Sequence, residues 1–143
     1  MYYITKILEF DAGHRVLNHE SKCANFHGHR YKAECCFTNS SLDDIGRIID
    51  FSCIKAIVGK WIDDNWDHTM ILHILDKKFG DILQTAGNKK VYYMQKNPTA
   101  ENMSKYLFYK ANELLSKQRI KCVEIKLWET PTAFAVFKEL PIL

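Results

Sequence analysis

Residues 27–38 read HGHRYKAECCFT, and their alternation decides the fold. Side chains two apart on a strand share a face. One face therefore carries His27, His29, Tyr31, Ala33, Cys35 and Phe37. The other carries Gly28, Arg30, Lys32, Glu34, Cys36 and Thr38. An apolar face backed by a polar one describes a strand of an antiparallel sheet covered on one side. Residues 3–14 alternate in the same way. Ile4, Leu8, Phe10, Ala12 and His14 share a face there, with Lys6 as the misfit. Residues 15–26 between the two strands, rich in Asn, His, Ser and Lys, read as a loop.

Downstream the period changes. Phe51, Ile54, Ile57, Val58, Trp61 and Ile62 recur at helical spacing over 51–65, with Asp50 or Ser52 able to cap the start. Residues 76–90, rich in Lys, Asp and Gly, predict a loop with a short helical turn, and Val91–Met94 a short extended segment. A second helix follows Asn97-Pro98-Thr99. Thr99 is its expected N-cap, Glu101 suits its first turn, and Met103, Leu107, Ala111, Leu114 and Leu115 form its stripe, with Phe108 beside it. Val123, Ile125, Leu127 and Glu129 share a strand face over 120–129, and residues 132–138 read as a last strand after Pro131. The order predicts a single α+β domain over 1–143, with a four-stranded antiparallel sheet and two helices packed on one face.

Composition narrows the function class. The 143 residues are 47% hydrophobic and 26% charged, with a net charge of +3. The scattered lysines form no clustered basic face, which argues against nucleic-acid binding. No apolar run approaches a membrane span, and the charged, alternating N-terminus does not read as a secretory signal, so the cytoplasm is the expected location. Five cysteines at irregular spacing do not predict a disulfide framework, and most should be small core residues.

The chemistry gathers at strand ends. His27 and His29 project together, and His14 ends the apolar face of the first strand. If the two strands are neighbours, three imidazoles meet at one end of the buried layer. Three neutral nitrogens with a free fourth position describe an open zinc site. A lone buried histidine is more often a hydrogen-bonded core residue; the His-x-His pair is what lifts this case. His19 and His73 have no partner at useful spacing and are expected at the surface. Cys23, four residues before His27, has two readings: a fourth metal ligand closing a structural site, or a reactive thiolate beside an open one. Asp67-His68 is a carboxylate–imidazole pair suited to proton transfer, although spacing alone does not bring it to Cys23. Glu129 ends an apolar face, where a carboxylate is costly without partners; a ligand's paired N–H groups would supply them.

Six segments in order, FDAGHRV (10–16), CANFHGHRY (23–31), GRIIDFSCIK (46–55), WDHTMIL (66–72), NPTAENM (97–103) and KLWETPTAFAVF (126–137), resemble the 6-pyruvoyltetrahydropterin synthase family across nearly the whole chain. The three-residue gap between Cys23 and His27 is closer to its bacterial 6-carboxytetrahydropterin synthase branch, which serves queuosine precursor synthesis. The resemblance implies a tunnelling fold and homo-oligomers, usually hexamers of two stacked trimers with sites between subunits. It also implies a Zn2+ ion on His14, His27 and His29, with Cys23, Asp67, His68 and Glu129 catalytic and Glu129 and Thr130 binding the pterin. The implied reaction converts 7,8-dihydroneopterin triphosphate to 6-carboxy-5,6,7,8-tetrahydropterin, releasing acetaldehyde and triphosphate. A pyruvoyl-forming synthase and a non-catalytic zinc-stabilised binding module are the alternatives. Arg15 and several lysines are candidates for the triphosphate. The chain departs from the family pattern in a longer segment between Ile71 and Lys96 and in Pro131.

Overall fold

The computed structural model describes residues 1–140. Strands β1 (Tyr2–His14) and β2 (His27–Asn39) form a long antiparallel hairpin. Helices α1 (Phe51–Ile54) and α2 (Lys60–Asn65) run on through a π-helical stretch, Lys55–Gly59, and Asp50 caps the start by accepting from the Ser52 amide. There follow β3 (Thr69–His73), α3 (Lys77–Thr85), β4 (Val91–Met94), α4 (Ala100–Leu114), β5 (Lys121–Thr130) and β6 (Ala133–Lys138).

The sheet order is β4-β3-β1-β2-β5-β6. The α+β class holds, but the four-stranded antiparallel sheet does not. Among the described residues there are six strands, and β3 pairs parallel with both β1 and β4. Strand β3 escaped notice because Thr69–His73 is short and does not alternate: Ile71 and Leu72 are both fully buried. That pattern belongs to a strand covered on both faces. Its second cover is α3, where the sequence predicted a loop with one turn. Consecutive residues of β4 show the two sides. Tyr92 packs against Trp61 and Tyr106 on the α1/α2–α4 side, whereas Tyr93 lies against Gly80 of α3. A Cβ at Gly80 would overlap the Tyr93 ring, so this close approach requires glycine. Two helical layers thus share one face as expected, and a third helix covers the other face at the β3–β4 end.

The main core forms where the apolar faces of β1, β2 and β5 meet α1/α2 and α4. Phe10 stacks on Tyr31 at 5.0 Å between ring centroids, and Ile54, Val58, Ile62, Met103, Leu107, Ile125 and Leu127 close around them. Burial pushes the Cys35 thiol up to about 12 and raises that of Cys122. These two cysteines are core residues, whereas Cys36 and Cys53 are only part-buried, so fewer cysteines enter the core than expected. Thr99 caps α4 by accepting from the Asn102 amide, as expected.

Arg15 anchors the β1–β2 loop. Its guanidinium makes two bonds of 2.8 and 2.7 Å to Asp76 and lies over the rings of Phe79 and Phe26. Asp76 is 2% exposed. Arg15 is therefore committed to a structural ion pair and is not a free cation for a phosphate chain. Removing one partner strands a buried charge, which costs about 3–5 kcal/mol. Arg15→Ala is therefore expected to lower stability by roughly that amount in urea unfolding, whereas Lys60→Ala, which loses only an exposed pair with Asp64, unfolds close to the parent.

Candidate functional site

The register of the β1–β2 hairpin builds the site. His14 stands directly opposite His27, and His29 pairs with Ala12. All three imidazoles project to the helix side of the sheet, beyond Tyr31 and Phe10. Their ligand nitrogens form a cluster within 4.8 Å of one another, the one three-residue metal-competent group among the described residues. His14 Nε2 lies 2.9 Å from His27 Nε2 and 3.1 Å from His29 Nε2. Gly28 allows the tight backbone there, since a Cβ would sit 3.1 Å from the Ala12 carbonyl oxygen.

The hydrogen bonds behind the rings set their tautomers. His14 Nδ1 donates to the Pro98 carbonyl at 2.7 Å, and His27 Nδ1 donates to the Asn25 carbonyl at 2.7 Å. Both Nε2 atoms are then lone pairs facing each other at 2.9 Å, an arrangement that repels unless a cation lies between them. Nitrogens about 2.0–2.1 Å from a tetrahedral ion stand about 3.3 Å apart, so the spacing fits a divalent metal. Burial, helped by its two imidazole neighbours, pushes His14 down to about 4. Burial also lowers His29, partly offset by the Glu129 carboxylate 3.8 Å away.

The cavity beside His14 is about 320 Å³ and is lined by Val16, His19, Cys23, Thr99, Ala100, Glu101, Glu129 and the start of β6. One short motif, Asn97 to Asn102, assembles its far wall. The Asn97 side chain accepts from the Leu17 amide and donates to the Leu17 carbonyl at 2.9 and 3.0 Å. Pro98 receives His14, Thr99 caps α4, and Asn102 donates to the Asn97 carbonyl. The loop bearing Cys23 closes on itself through a bond from the Val16 amide to the Cys23 carbonyl, 2.9 Å. Cys23 therefore lines the same cavity as His14 but lies outside the imidazole cluster.

The remaining candidates divide between faces. Glu129 borders both this cavity and a second one shared with His29, Arg30, Lys32, Trp128 and Thr130. The Thr130 hydroxyl accepts from the Thr132 amide within its own turn. Asp67 and His68 form a bonded pair at 2.8 Å, and Asp67 also accepts from the Asp11 amide at 2.9 Å. Burial works to raise the Asp67 carboxyl, but the Asp11 amide, the His68 ring and the Lys90 ammonium together hold it below the usual range. His68 lines a shallow cavity with Asp11, Gly28, His29 and Arg30, a different one from the cavity that Cys23 lines. One chain thus places Cys23 beside His14 and the Asp–His pair in a cavity that reaches His29 but not Cys23.

Two titratable residues of the cavity were not predicted there. His19, expected at the surface, lines the cavity because the loop folds inward. Its Nδ1 accepts from the Ser21 amide at 3.0 Å. Glu101, read only as a first-turn carboxylate, borders the same space. Its placement two residues after the N-cap of a helix whose entry touches His14 was the available signal. His73, by contrast, caps a short helical turn by accepting from the Leu75 amide.

The depressed His14 value carries a sign. A histidine with its folded pKa below its unfolded value of 6.5 binds more protons in the unfolded state under acid conditions. Metal-free protein should therefore lose stability as pH falls from about 6.5 towards 4, by about 3 kcal/mol from His14 alone. Urea melts of chelator-treated protein across that range check this; a flat profile would show that His14 is not buried as described.

Comparison with known proteins agrees with the geometry. Residues 3–140 match the family model for 6-pyruvoyl tetrahydropterin synthase. The 6-carboxy-5,6,7,8-tetrahydropterin synthase of Rickettsia conorii is 44% identical over 138 residues, covering 94% of this chain and 98% of the relative. That of Haemophilus influenzae is 33% identical, covering 97% and 100%. The fold is that of an uncharacterized protein of Wolinella succinogenes (TM-score 0.82, 20% identity, 97% and 98% covered) and of 6-pyruvoyl tetrahydropterin synthase from Caenorhabditis elegans (TM-score 0.68, 21% identity, 97% and 96% covered). With a match spanning nearly its whole length and a relative at 44% identity, the chain belongs to the 6-pyruvoyl tetrahydropterin synthase family.

Proposed function

We propose that the chain is a zinc-dependent lyase. It converts 7,8-dihydroneopterin triphosphate and one water to 6-carboxy-5,6,7,8-tetrahydropterin, acetaldehyde and triphosphate. The observation that carries the reading is the trio of imidazoles whose His14 member lines a cavity that also holds a thiol and two carboxylates. The names of relatives at 44% and 33% identity support the carboxy-forming product. A bound zinc ion supplies stabilisation of negative charge on the substrate's side-chain oxygens.

The protein's own groups divide the remaining work. Glu129 accepts the paired N–H groups of the pterin edge, with Glu101 on the opposite wall of the cavity. Thr130 flanks Glu129 on the second cavity. The Cys23 thiolate takes a carbon-bound proton from the substrate side chain. Asp67 orients His68 through its Nδ1, leaving Nε2 to exchange a proton with the thiol. Because one chain keeps the pair and the thiol in separate cavities, the pair comes from a second copy. A hexamer of two stacked trimers, the assembly that the resemblance implies, supplies such sites. A closed structural zinc site is disfavoured by Cys23 lying outside the imidazole cluster.

Incubation of zinc-loaded protein with 7,8-dihydroneopterin triphosphate should yield 6-carboxytetrahydropterin and one acetaldehyde per turnover. A pyruvoyl product without acetaldehyde would assign the other branch, and no reaction would refute the enzyme. Cys23→Ala and His68→Ala should each abolish turnover while zinc stays bound. Co-expressed in equal amounts, they should recover activity in about a quarter of the sites, as random assembly of a two-subunit site requires. Failure to recover any activity would place both residues in one chain.

A further inference from the structure

Asp67 and His68 sit on an unusual piece of backbone. His68 has φ of 55°, the left-handed region that side chains other than glycine seldom adopt. Such a conformation persists only where its surroundings over-determine it. Two contacts act from the β1 side, and a third lies within the pair. The His68 amide donates to the Asp11 carbonyl at 2.6 Å, the Asp11 amide to Asp67 Oδ1 at 2.9 Å, and His68 Nδ1 to Asp67 Oδ2 at 2.8 Å. The opposite side of the turn is the end of α2. There the Trp66 and Asp67 amides both use the Ile62 carbonyl, and the chain has to leave the helix within three residues.

On that side stands one cation. Lys90 Nζ donates to the Asp67 carbonyl at 2.8 Å and to the Asp63 carbonyl at 3.1 Å. An ammonium bridging two carbonyls at a helix C-terminus is electrostatically favoured, since the dipole leaves partial negative charge there. Lys90 is itself held by the long segment noted as a departure from the family pattern. Its carbonyl accepts from Asn88 Nδ2 at 2.6 Å and from the Met70 amide at 3.3 Å, one residue before β4 begins. The excursion through α3 therefore returns the chain to the turn that carries the Asp–His pair.

We propose that Lys90 is a positioning residue for that pair: its ammonium clamps the left-handed turn at His68 and thereby aims the imidazole. This rests on the reading of Asp67–His68 as the group that handles the thiol's proton. Lys90 touches neither the cavity beside Cys23 nor the imidazole cluster. Without the ammonium, the Asp63 and Asp67 carbonyls lose their shared donor. His68 then relaxes towards right-handed backbone, and its ring leaves Asp67. The core beneath, Ile62, Trp66 and Ile71, makes no use of the lysine.

The test uses full-length zinc-loaded protein and two variants. Lys90→Met keeps the apolar stem and removes the charge, and Lys90→Arg restores a cation. The first readout is the His68 Nδ1–H resonance in side-chain nitrogen–proton NMR, which needs no turnover. The second is kcat and KM with 7,8-dihydroneopterin triphosphate. Lys90→Met should abolish the resonance and lower kcat about tenfold with little change in KM, as expected for a displaced catalytic group. Lys90→Arg should restore the resonance and most of kcat. Should Lys90→Met not fold, Lys90→Gln, with a neutral donor, takes its place under the same criteria. A wild-type His68 resonance in the uncharged variant overturns the clamp, as does failure of arginine to rescue. A lost resonance in a protein whose wild type has no pterin activity upholds the clamp and removes the catalytic reading alone.

Discussion

The mutual repulsion of the His14 and His27 lone pairs, with the His29 ring beside them, is the constraint on which this molecule depends. Two Nε2 atoms 2.9 Å apart, each with its proton held on the far nitrogen by a backbone carbonyl, form an arrangement that only a cation stabilises. The fold holds them there through the register of one hairpin. His14 faces His27 across the β1–β2 ladder, and a slip of one residue would send His14 to the opposite face of the sheet. Beneath them, Phe10 and Tyr31 in the same ladder anchor that register in the core. Packing and chemistry thus share one alignment.

The cavity beside the imidazoles is assembled from parts distant in sequence. The Cys23 loop, the start of α4 and the end of β5 meet there because one motif serves several purposes. Asn97 clamps the loop, Pro98 fixes the His14 tautomer, Thr99 caps the helix and Asn102 ties the motif to itself. The Arg15–Asp76 pair performs a comparable service from the other side, fastening the beginning of the same loop to the turn before α3. These contacts explain why polar residues are concentrated around a site whose reacting groups are few.

Strict alternation was readable before any coordinates. It revealed the long strands, the shared face of His27, His29 and Tyr31, and the placement of Glu129 at a strand end. What escaped was structure whose signal is aperiodic or brief. Strand β3 is covered on both faces, so its five residues show no alternation, and α3 is amphipathic but only 9 residues long, set in a stretch rich in Lys, Asp and Gly. His19 and Glu101 were missed for a different reason. Loop closure by the Val16–Cys23 bond and the docking of α4 decide what they face, and neither depends on local spacing. The separation of Cys23 from the Asp67–His68 pair likewise follows from which face of the sheet each occupies. His68 is aimed by an αL backbone that no residue pattern announces.

The central claim is that three nitrogens, and no sulfur, hold the metal. X-ray absorption at the metal edge of zinc-loaded protein measures this directly. The structure predicts nitrogen or oxygen scatterers alone, at about 2.0–2.1 Å, with the fourth position taken by a light atom. A sulfur shell near about 2.3 Å would make Cys23 a permanent donor, close the site and contradict the account.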